Sequence, residues 1–196
     1  MSPDPERRPQ LLLIFGGPGA GKGTQASLLS QSLGVPHISS GELLREHQRH
    51  DTQNVMSSGE LLPDELVTRV VLARIEQPDA AQGAILDGFP RTVAQARALD
   101  DWLEQRGGGI RAAFYLDVPP DDLVARIVSR REISHRGDDN AAVAERRVEI
   151  FNHEMPPILE HYAAHGQLYR IDGARPVEQI HKQITDALGR QPRPDR

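Results

Sequence analysis

A glycine-rich stretch directly follows an apolar run near the start of the sequence, and this pairing limits the folds open to the chain. The run is LLLIF at residues 11–15, and GGPGAGKGT follows at residues 16–24. Between a strand and a helix, glycines let backbone N–H groups converge on phosphate oxygens, and the helix start adds partial positive charge. Lys22 can reach the outer phosphates, and the Thr24 hydroxyl can bind Mg²⁺. The stretch therefore predicts a nucleoside triphosphate site on a strand–loop–helix unit.

The rest of the chain alternates short apolar runs with helical patterns. We predict strands at 11–15, 35–39, 84–87, 112–118 and 168–172, and helices at 21–33, 63–75, 94–106, 121–131, 141–155 and 177–188. The helix from residue 141 is expected to stop at Pro156 and Pro157, since proline lacks a backbone N–H. This alternation predicts an α/β fold of the P-loop NTPase type, with a five-stranded parallel sheet flanked by helices. Polar residues 41–62 and 132–140 interrupt the rhythm and are predicted to form two small mobile inserts.

Composition excludes several classes of function. The 196 residues suit one domain, and 28 acidic against 23 basic residues give a net charge of −5, which argues against nucleic acid or membrane partners. The chain has no cysteine, so disulfides, thiolate catalysis and cysteine-ligated zinc are excluded. The eight histidines are scattered, without a ligand-like pairing to an acid. We expect a cytoplasmic protein whose proline-rich ends, residues 1–9 and 190–196, are disordered.

Acidic and basic residues further along the chain are typical of phosphoryl transfer. Asp87 ends the apolar run GAILD, where a carboxylate beside the glycine loop can order Mg²⁺, partly through water. Transfer between two anionic substrates requires positive charge around the moving phosphoryl group, and arginine presents a planar fork to phosphate. The arginines in suitable settings are Arg45, Arg91, Arg126, Arg130, Arg136 and Arg147.

Several motifs together resemble one family. GGPGAGKGTQ, ISSGELLR, LDGFPRTVAQA, ARIVSRR, HRGDDN and IDGARPV occur in the order and rough spacing of the adenylate kinase family, over residues 11–188. The common phosphate-loop pattern has Ser or Thr directly after the lysine, whereas a glycine at the position of Gly23 is typical of the adenylate kinase family. The short second insert without cysteines is similar to the short-lid members, which lack zinc. The resemblance implies a monomeric kinase domain at 10–189, with a monophosphate-binding flap at 39–68 and a lid at 131–141.

The resemblance also implies a role for each matching residue, with ATP and AMP as substrates and Mg²⁺ as cofactor. ATP would be bound by Gly19, Ala20, Gly21, Lys22, Gly23, Thr24, Arg130 and Arg175. AMP would be bound by Ser40, Arg45, Glu60, Leu61, Leu62, Gly88, Phe89, Pro90, Arg91, Gln95, Arg136 and Arg147. The catalytic cations would be Lys22, Arg91, Arg126, Arg130, Arg136 and Arg147. Asp138 and Asp139 would close the lid by ion pairs, and Thr24 and Asp87 would hold Mg²⁺.

The acceptor is the point on which alternatives stay open. Ser40 keeps the hydroxyl of the threonine usual in AMP kinases, and Gln95 can pair with the adenine edge. UMP/CMP kinases tend instead to carry alanine at the Ser40 position and asparagine at the Thr92 position. A nucleotide sensor without turnover is a rival of another class, whereas a GTPase switch would need an NKxD motif, which the chain lacks. The stretch EHQRHDTQNVMSS is short for the flap, and Glu60 replaces a frequent lysine, so acceptor selectivity is open to change.

Overall fold

The computed structural model describes residues 9–47, 62–134 and 141–190. The strands are β1 (Gln10–Gly16), β2 (His37–Ser39), β3 (Gly83–Asp87), β4 (Gly109–Asp117) and β5 (Leu168–Asp172). The helices are α1 (Lys22–Leu33), α2 (Ser40–His47), α3 (Asp64–Ile75), α4 (Val93–Glu104), α5 (Pro120–Ser134), α6 (Ala141–Ala164) and α7 (Val177–Arg190). A single 3₁₀ turn, Pro78–Ala80, precedes β3 within these ranges.

The five strands form one parallel sheet in the order β2-β3-β1-β4-β5. Parallel neighbours need a crossover connection, and helices provide it here, so the chain alternates strand and helix. The predicted α/β fold with a five-stranded parallel sheet is confirmed. With β1 in the centre, the chain passes to one side for β2 and β3 and to the other for β4 and β5. Ligands of such sheets bind at the carboxyl ends of the strands, near this change of direction.

The central strand β1 is apolar on both faces because helices cover both sides of the sheet. Leu11, Leu13 and Phe15 pack with buried residues of α3, α4 and α6. Leu12 and Ile14 pack with buried residues of α1, α5 and α7. Successive strand residues point to opposite faces, so a continuous apolar run is what a sheet buried on both sides requires. This burial anchors the end of β1, from which the glycine loop emerges.

The predicted end of α6 at the two prolines is wrong, because the helix continues through Pro156 and Pro157 to Ala164. Both prolines are exposed, while Met155, Ile158 and Tyr162 around them are buried. Tyr162 packs against Phe15 of β1, with ring centroids 5.6 Å apart. Proline removes helical hydrogen bonds at a cost of about 3 kcal/mol, and apolar burial on both sides offsets that cost.

The described parts of the two predicted inserts include helical residues. Helix α2 lies within the predicted flap at 39–68, and α5 continues through Ser134 into the predicted lid at 131–141. Most of the remainder of each insert, 48–61 and 135–140, lies outside the described residues, as do the termini at 1–8 and 191–196. In the described part of the chain, no helix combines the length and the apolar character that crossing a membrane requires.

Candidate active site

A cleft of about 820 Å³ opens at the carboxyl ends of β1, β2 and β3. Its lining combines the glycine loop, an acidic strand end and four arginines. The predicted residues that line it are Gly19, Gly21, Lys22, Gly23, Thr24, Arg45, Asp87, Gly88, Pro90, Arg91, Arg126 and Arg147. They come from separate stretches of the chain, so the fold gathers most of the predicted residues that it describes into one site.

The glycine loop ends at the start of α1, where backbone N–H groups have no helical partner. Gly21 caps the helix with φ 90°, a left-handed conformation that favours glycine, and it supplies no side-chain cap. The Nζ of Lys22 donates to the carbonyl oxygens of Gly16 and Gly17, at 2.9 and 3.0 Å. The lysine thus lies across its own loop, with its charge beside the amides that would surround a phosphate. This arrangement fits a bound polyphosphate.

The carboxylate of Asp87 lies at the end of β3, opposite the loop. A Cβ atom built on Gly23 would lie 3.4 Å from Oδ2 of Asp87, so loop and carboxylate are neighbours. The same oxygen lies 3.4 Å from Nε2 of His37. Burial by itself would raise the pKa of Asp87, but the hydrogen bond with His37 and the charges of Lys22 and Arg91 together outweigh it. The pKa of Asp87 therefore lies below its ordinary value, and the carboxylate is charged at neutral pH.

Two oxygen ligands in this region fit a magnesium ion. Thr24 is exposed on the cleft wall, and Asp87 presents its carboxylate from the strand end. Among the residues that the structure describes, no group of three histidines or acids could hold a metal by itself. Mg²⁺ commonly keeps several waters and binds one or two protein oxygens together with substrate phosphates. The Thr24 hydroxyl and the Asp87 carboxylate are oxygen ligands of the kind and number that Mg²⁺ takes from a protein in this way.

Arg45, Arg91 and Arg147 all line the cleft. Arg91 is exposed as a residue, but the protein around its guanidinium lowers the pKa of that group, the Asp87 charge raises it, and the charges of Arg147 and Arg45 lower it again. The pKa of Arg91 is therefore below the ordinary arginine value. Because that ordinary value lies far above 7, the group is still charged at neutral pH. These guanidinium groups are close enough to repel one another, so an anion bound among them would be stabilised.

The turn after β3 is built around the carbonyl of Gly88. The Oγ of Ser40 and the Nε of Arg91 both donate to this oxygen, at 2.7 and 2.8 Å. Gly88 has φ 76°, and a Cβ added there would lie 3.0 Å from both the Ser40 hydroxyl and the Arg91 guanidinium. Only glycine suits this position. The turn thereby fixes Arg91 at the floor of the cleft.

Arg126 and Arg175 occupy the side of the site toward β5. Arg126 lines the cleft, and its Nη1 donates to the carbonyl of Gly173 at 3.1 Å. Arg175 is exposed and does not line the cleft; its Nε donates to Asp172 at 2.8 Å, and this bond lowers the pKa of that carboxyl. The described geometry thus ties Arg126, rather than the Arg175 side chain, to the cleft.

Several predicted contact residues lie behind the cleft wall. Ala20, Leu62 and Phe89 are buried in the hydrophobic core, and none of them lines the cleft. Gln95 is also buried, with 2% of its surface exposed. Its Oε1 accepts from the backbone N–H of Arg91 at 2.8 Å, and its Nε2 donates to Asp64 at 2.7 Å.

Some predicted site residues fall outside the described part of the chain. They are Glu60, Leu61, Arg136, Asp138 and Asp139, together with the side chain of Arg130. Their assigned roles stay predictions.

Two residues at the site were missed by reasoning from the sequence. His37 was not paired with an acid, yet it meets Asp87 because β2 lies beside β3, with Ser39 in register with Asp87. Asp64 was not singled out from the sequence, yet it bonds to Gln95 because α3 packs against α4. Neither pairing leaves a local signal, since each depends on which elements become neighbours.

A parallel sheet, a phosphate-binding loop after its central strand and arginines across the cleft define a nucleotide phosphotransferase of the P-loop class. A family model described as adenylate kinase matches residues 14–167. The chain is 36% identical to the adenylate kinase of Streptomyces avermitilis, covering 92% of this chain and 97% of that protein. It is 38% identical to the adenylate kinase of Thermus thermophilus, with the same coverage of both chains. Adenylate kinase 1 of a Nostoc species is 41% identical, over 91% of this chain and 98% of that protein. The chain belongs to the adenylate kinase family and is a nucleoside monophosphate kinase.

Proposed function

We propose that this protein transfers the γ-phosphoryl group of ATP to AMP, reversibly and with Mg²⁺, giving two molecules of ADP. The observation that carries the proposal is the cleft lining, which joins Lys22 and the glycine loop to Asp87 and to Arg45, Arg91, Arg126 and Arg147. The charges of Asp87, Arg147 and Arg45 act on the Arg91 guanidinium. A cation that lines the same cleft as the phosphate loop can serve a group that passes from one substrate to the other.

The chemistry requires no general base. An oxygen of the AMP phosphate forms a bond to the γ-phosphorus, while the bond from that phosphorus to the β–γ bridging oxygen breaks and leaves ADP. Lys22 and the amides at the start of α1 hold the ATP phosphates, and Arg45, Arg91 and Arg147 hold the AMP phosphate. Arg126 adds positive charge from α5. The residues orient both anions and balance the charge on the oxygens that change partner.

Mg²⁺ would be held by Thr24 and, partly through water, by Asp87, together with the ATP phosphates. When bound, it neutralises charge on the β- and γ-phosphoryl oxygens. The low pKa of Asp87 supports this role because the carboxylate is charged at neutral pH.

AMP is favoured as acceptor by Ser40 and Gln95, which are both buried and both hydrogen-bonded to the turn from Gly88 to Arg91. The Gln95 amide has a donor and an acceptor side by side, which complements the adenine edge. UMP/CMP kinase activity is the second candidate, because the short flap and Glu60 depart from the family pattern and leave the base selectivity open to change. A sensor without turnover is the candidate of another class, and the cationic lining of the cleft argues against it.

We further propose that residues 39–68 form the monophosphate-binding flap and 131–141 the lid of a domain spanning 10–189. Family membership supports these assignments, as do the helices that flank both segments. We also propose a cytoplasmic monomer that takes ATP and AMP and binds neither nucleic acid nor membrane. The excess of acidic residues supports the lack of polyanionic partners. Light scattering during gel filtration, with and without nucleotide, tests the oligomeric state.

The proposed reaction is tested by measuring ADP formation from ATP with AMP, UMP, CMP, GMP or no acceptor. AMP is expected to give the highest kcat/KM. Turnover of UMP or CMP, with AMP no better than no acceptor, would establish the pyrimidine alternative. ATP binding without turnover of any acceptor would establish the sensor.

The chain offers a matched control because it has two lysines, Lys22 and Lys182. Lys22→Ala is expected to abolish most turnover. Lys182 lies on α7, where its Nζ bonds to Asp186 at 2.7 Å, and Lys182→Ala is expected to leave turnover unchanged. Equal losses in the two variants would contradict a specific role for Lys22.

A further inference from the structure

Half-buried Asp64 and buried Gln95 link the start of α3 to the first turn of α4. The Nε2 of Gln95 donates to Oδ1 of Asp64 at 2.7 Å, and Oδ2 of Asp64 accepts from the Thr92 hydroxyl at 2.8 Å. Thr92 caps α4, with its Oγ1 accepting from the backbone N–H of Gln95 at 3.2 Å. The opposite end of the Gln95 amide accepts from the Arg91 backbone at 2.8 Å. Asp64 thus holds both the helix cap and the amide that lies against Arg91.

This network allows only one orientation of the Gln95 amide. In the observed orientation, the nitrogen meets a carboxylate and the oxygen meets an N–H. Rotation by half a turn would place the amide oxygen against the Asp64 carboxylate and the amide N–H groups against the Arg91 N–H. Both contacts would be repulsive, and two hydrogen bonds would be lost. The bond to Asp64 is the stronger of the two because its acceptor is charged.

An amide in a fixed orientation distinguishes between purine bases. A glutamine side chain has two N–H donors and two acceptor lone pairs, so one of each is not used by the bonds to Asp64 and Arg91. Gln95 is 2% exposed and does not line the cleft, so the inference requires the acceptor base to enter beside this amide. Adenine presents a donor at N6 beside an acceptor at N1. Hypoxanthine, the base of IMP, presents the reverse, with an acceptor at O6 beside a donor at N1. An amide that pairs with one edge must rotate to pair with the other.

We infer that Asp64 is a specificity-determining positioning residue, which selects adenine over 6-oxopurines in the acceptor by fixing the amide orientation of Gln95. The inference rests on the proposed AMP acceptor. Asp64 acts through Gln95 and need not contact the substrate.

The alternative role for Asp64 is that of an acid at a helix start, where negative charge is favourable. The sequence supplies a control, since Glu65 is the next residue in the same first turn of α3 and is exposed. Glu65→Ala removes the same charge from the same helix end without removing the partner of Gln95. The two substitutions therefore separate helix stabilisation from amide positioning.

The test measures kcat/KM for AMP and for IMP, with ATP as donor, in the wild type, Asp64→Ala and Glu65→Ala. We expect the AMP-to-IMP ratio to fall at least about tenfold in Asp64→Ala, because one charge-assisted hydrogen bond is lost. The ratio in Glu65→Ala should stay within about twofold of the wild type, and the KM for ATP should be unchanged in both. An unchanged ratio in folded Asp64→Ala overturns the inference, as does an equal fall in Glu65→Ala.

A double-mutant comparison shows whether Asp64 acts through Gln95. Gln95→Ala should itself lower the ratio, and adding Asp64→Ala to Gln95→Ala should lower it no further. A second fall of similar size in the double variant would overturn the inference.

Asp64→Ser replaces Asp64→Ala in the test if circular dichroism and thermal unfolding show that Asp64→Ala does not fold. Its hydroxyl is too short to replace both carboxylate oxygens, and the same fall in ratio is expected. If the wild type does not phosphorylate AMP, the proposed function fails. If the wild type prefers AMP and folded Asp64 variants keep that preference, only the present inference fails.

Discussion

The Nε2 of His37 lies 3.4 Å from the Oδ2 of Asp87, joining the ends of β2 and β3 at the floor of the cleft. A Cβ built on Gly23 would lie 3.4 Å from the same oxygen. Burial alone would favour the protonated acid, but His37 and the nearby cations keep the pKa of Asp87 below its ordinary value. A charged carboxylate next to the phosphate loop is what a divalent cation needs.

Asp87→Asn removes this charge while preserving the volume of the side chain. We expect the Mg²⁺ concentration for half-maximal rate to rise about 10- to 100-fold, the usual effect of losing a partner of a bound metal. Initial rates measured against total Mg²⁺ at saturating nucleotide give the value. An unchanged Mg²⁺ dependence would argue that Asp87 does not serve the metal.

Arg91→Ala removes one of the four arginines that line the cleft. We expect kcat to fall roughly 10²- to 10³-fold, as for other losses of transition-state charge stabilisation. ATP affinity, measured by calorimetry, should change little because Lys22 and the loop amides are intact. Arg97→Ala is the matched control, since Arg97 is exposed on α4 and does not line the cleft. Near-normal turnover of Arg91→Ala would remove Arg91 from the catalytic group.

Gly88→Ala places a side chain where φ is 76° and where the Ser40 hydroxyl and the Arg91 guanidinium would lie 3.0 Å from its Cβ. The left-handed conformation alone costs about 1–2 kcal/mol, so we expect at least that loss in the free energy of unfolding. Gly189→Ala in α7 meets nothing within 4 Å and should stabilise by up to about 1 kcal/mol. Urea unfolding of both variants provides the comparison. Equal stability of the two would refute the strain argument.

Pro156→Ala restores a backbone N–H inside α6. Because Pro156 is exposed, little packing is lost, and we expect the free energy of unfolding to rise by about 1–3 kcal/mol. Pro120→Ala is the control, since Pro120 is the first residue of α5, where proline is well tolerated, and no gain is expected there. Chemical denaturation measures both. A less stable Pro156→Ala would mean that the rigid ring contributes more through the unfolded chain than it costs in the helix.

Local sequence patterns predicted the helices and strands and part of the candidate site. Apolar runs predicted the strands because a sheet covered on both faces leaves few polar positions along inner strands such as β1 and β3. The loop and Asp87 were found because each adjoins a strand end, and the carboxyl ends of parallel strands meet at one edge. The helix end predicted at the two prolines was wrong because that rule considers only local backbone effects. Burial of Met155, Ile158 and Tyr162 stabilises the continuation of α6 beyond them.

The sequence by itself determined the class of chemistry. A glycine loop, an acid at a strand end and arginines near both indicate phosphate chemistry through their residue types and local spacing, which can be read without the fold. Only the tertiary structure decided which residues come together: His37 pairs with Asp87, Asp64 pairs with Gln95, and Arg45, Arg91 and Arg147 line one cleft. These pairs depend on strand order and helix packing, which arise from the burial of many residues together rather than from any short segment.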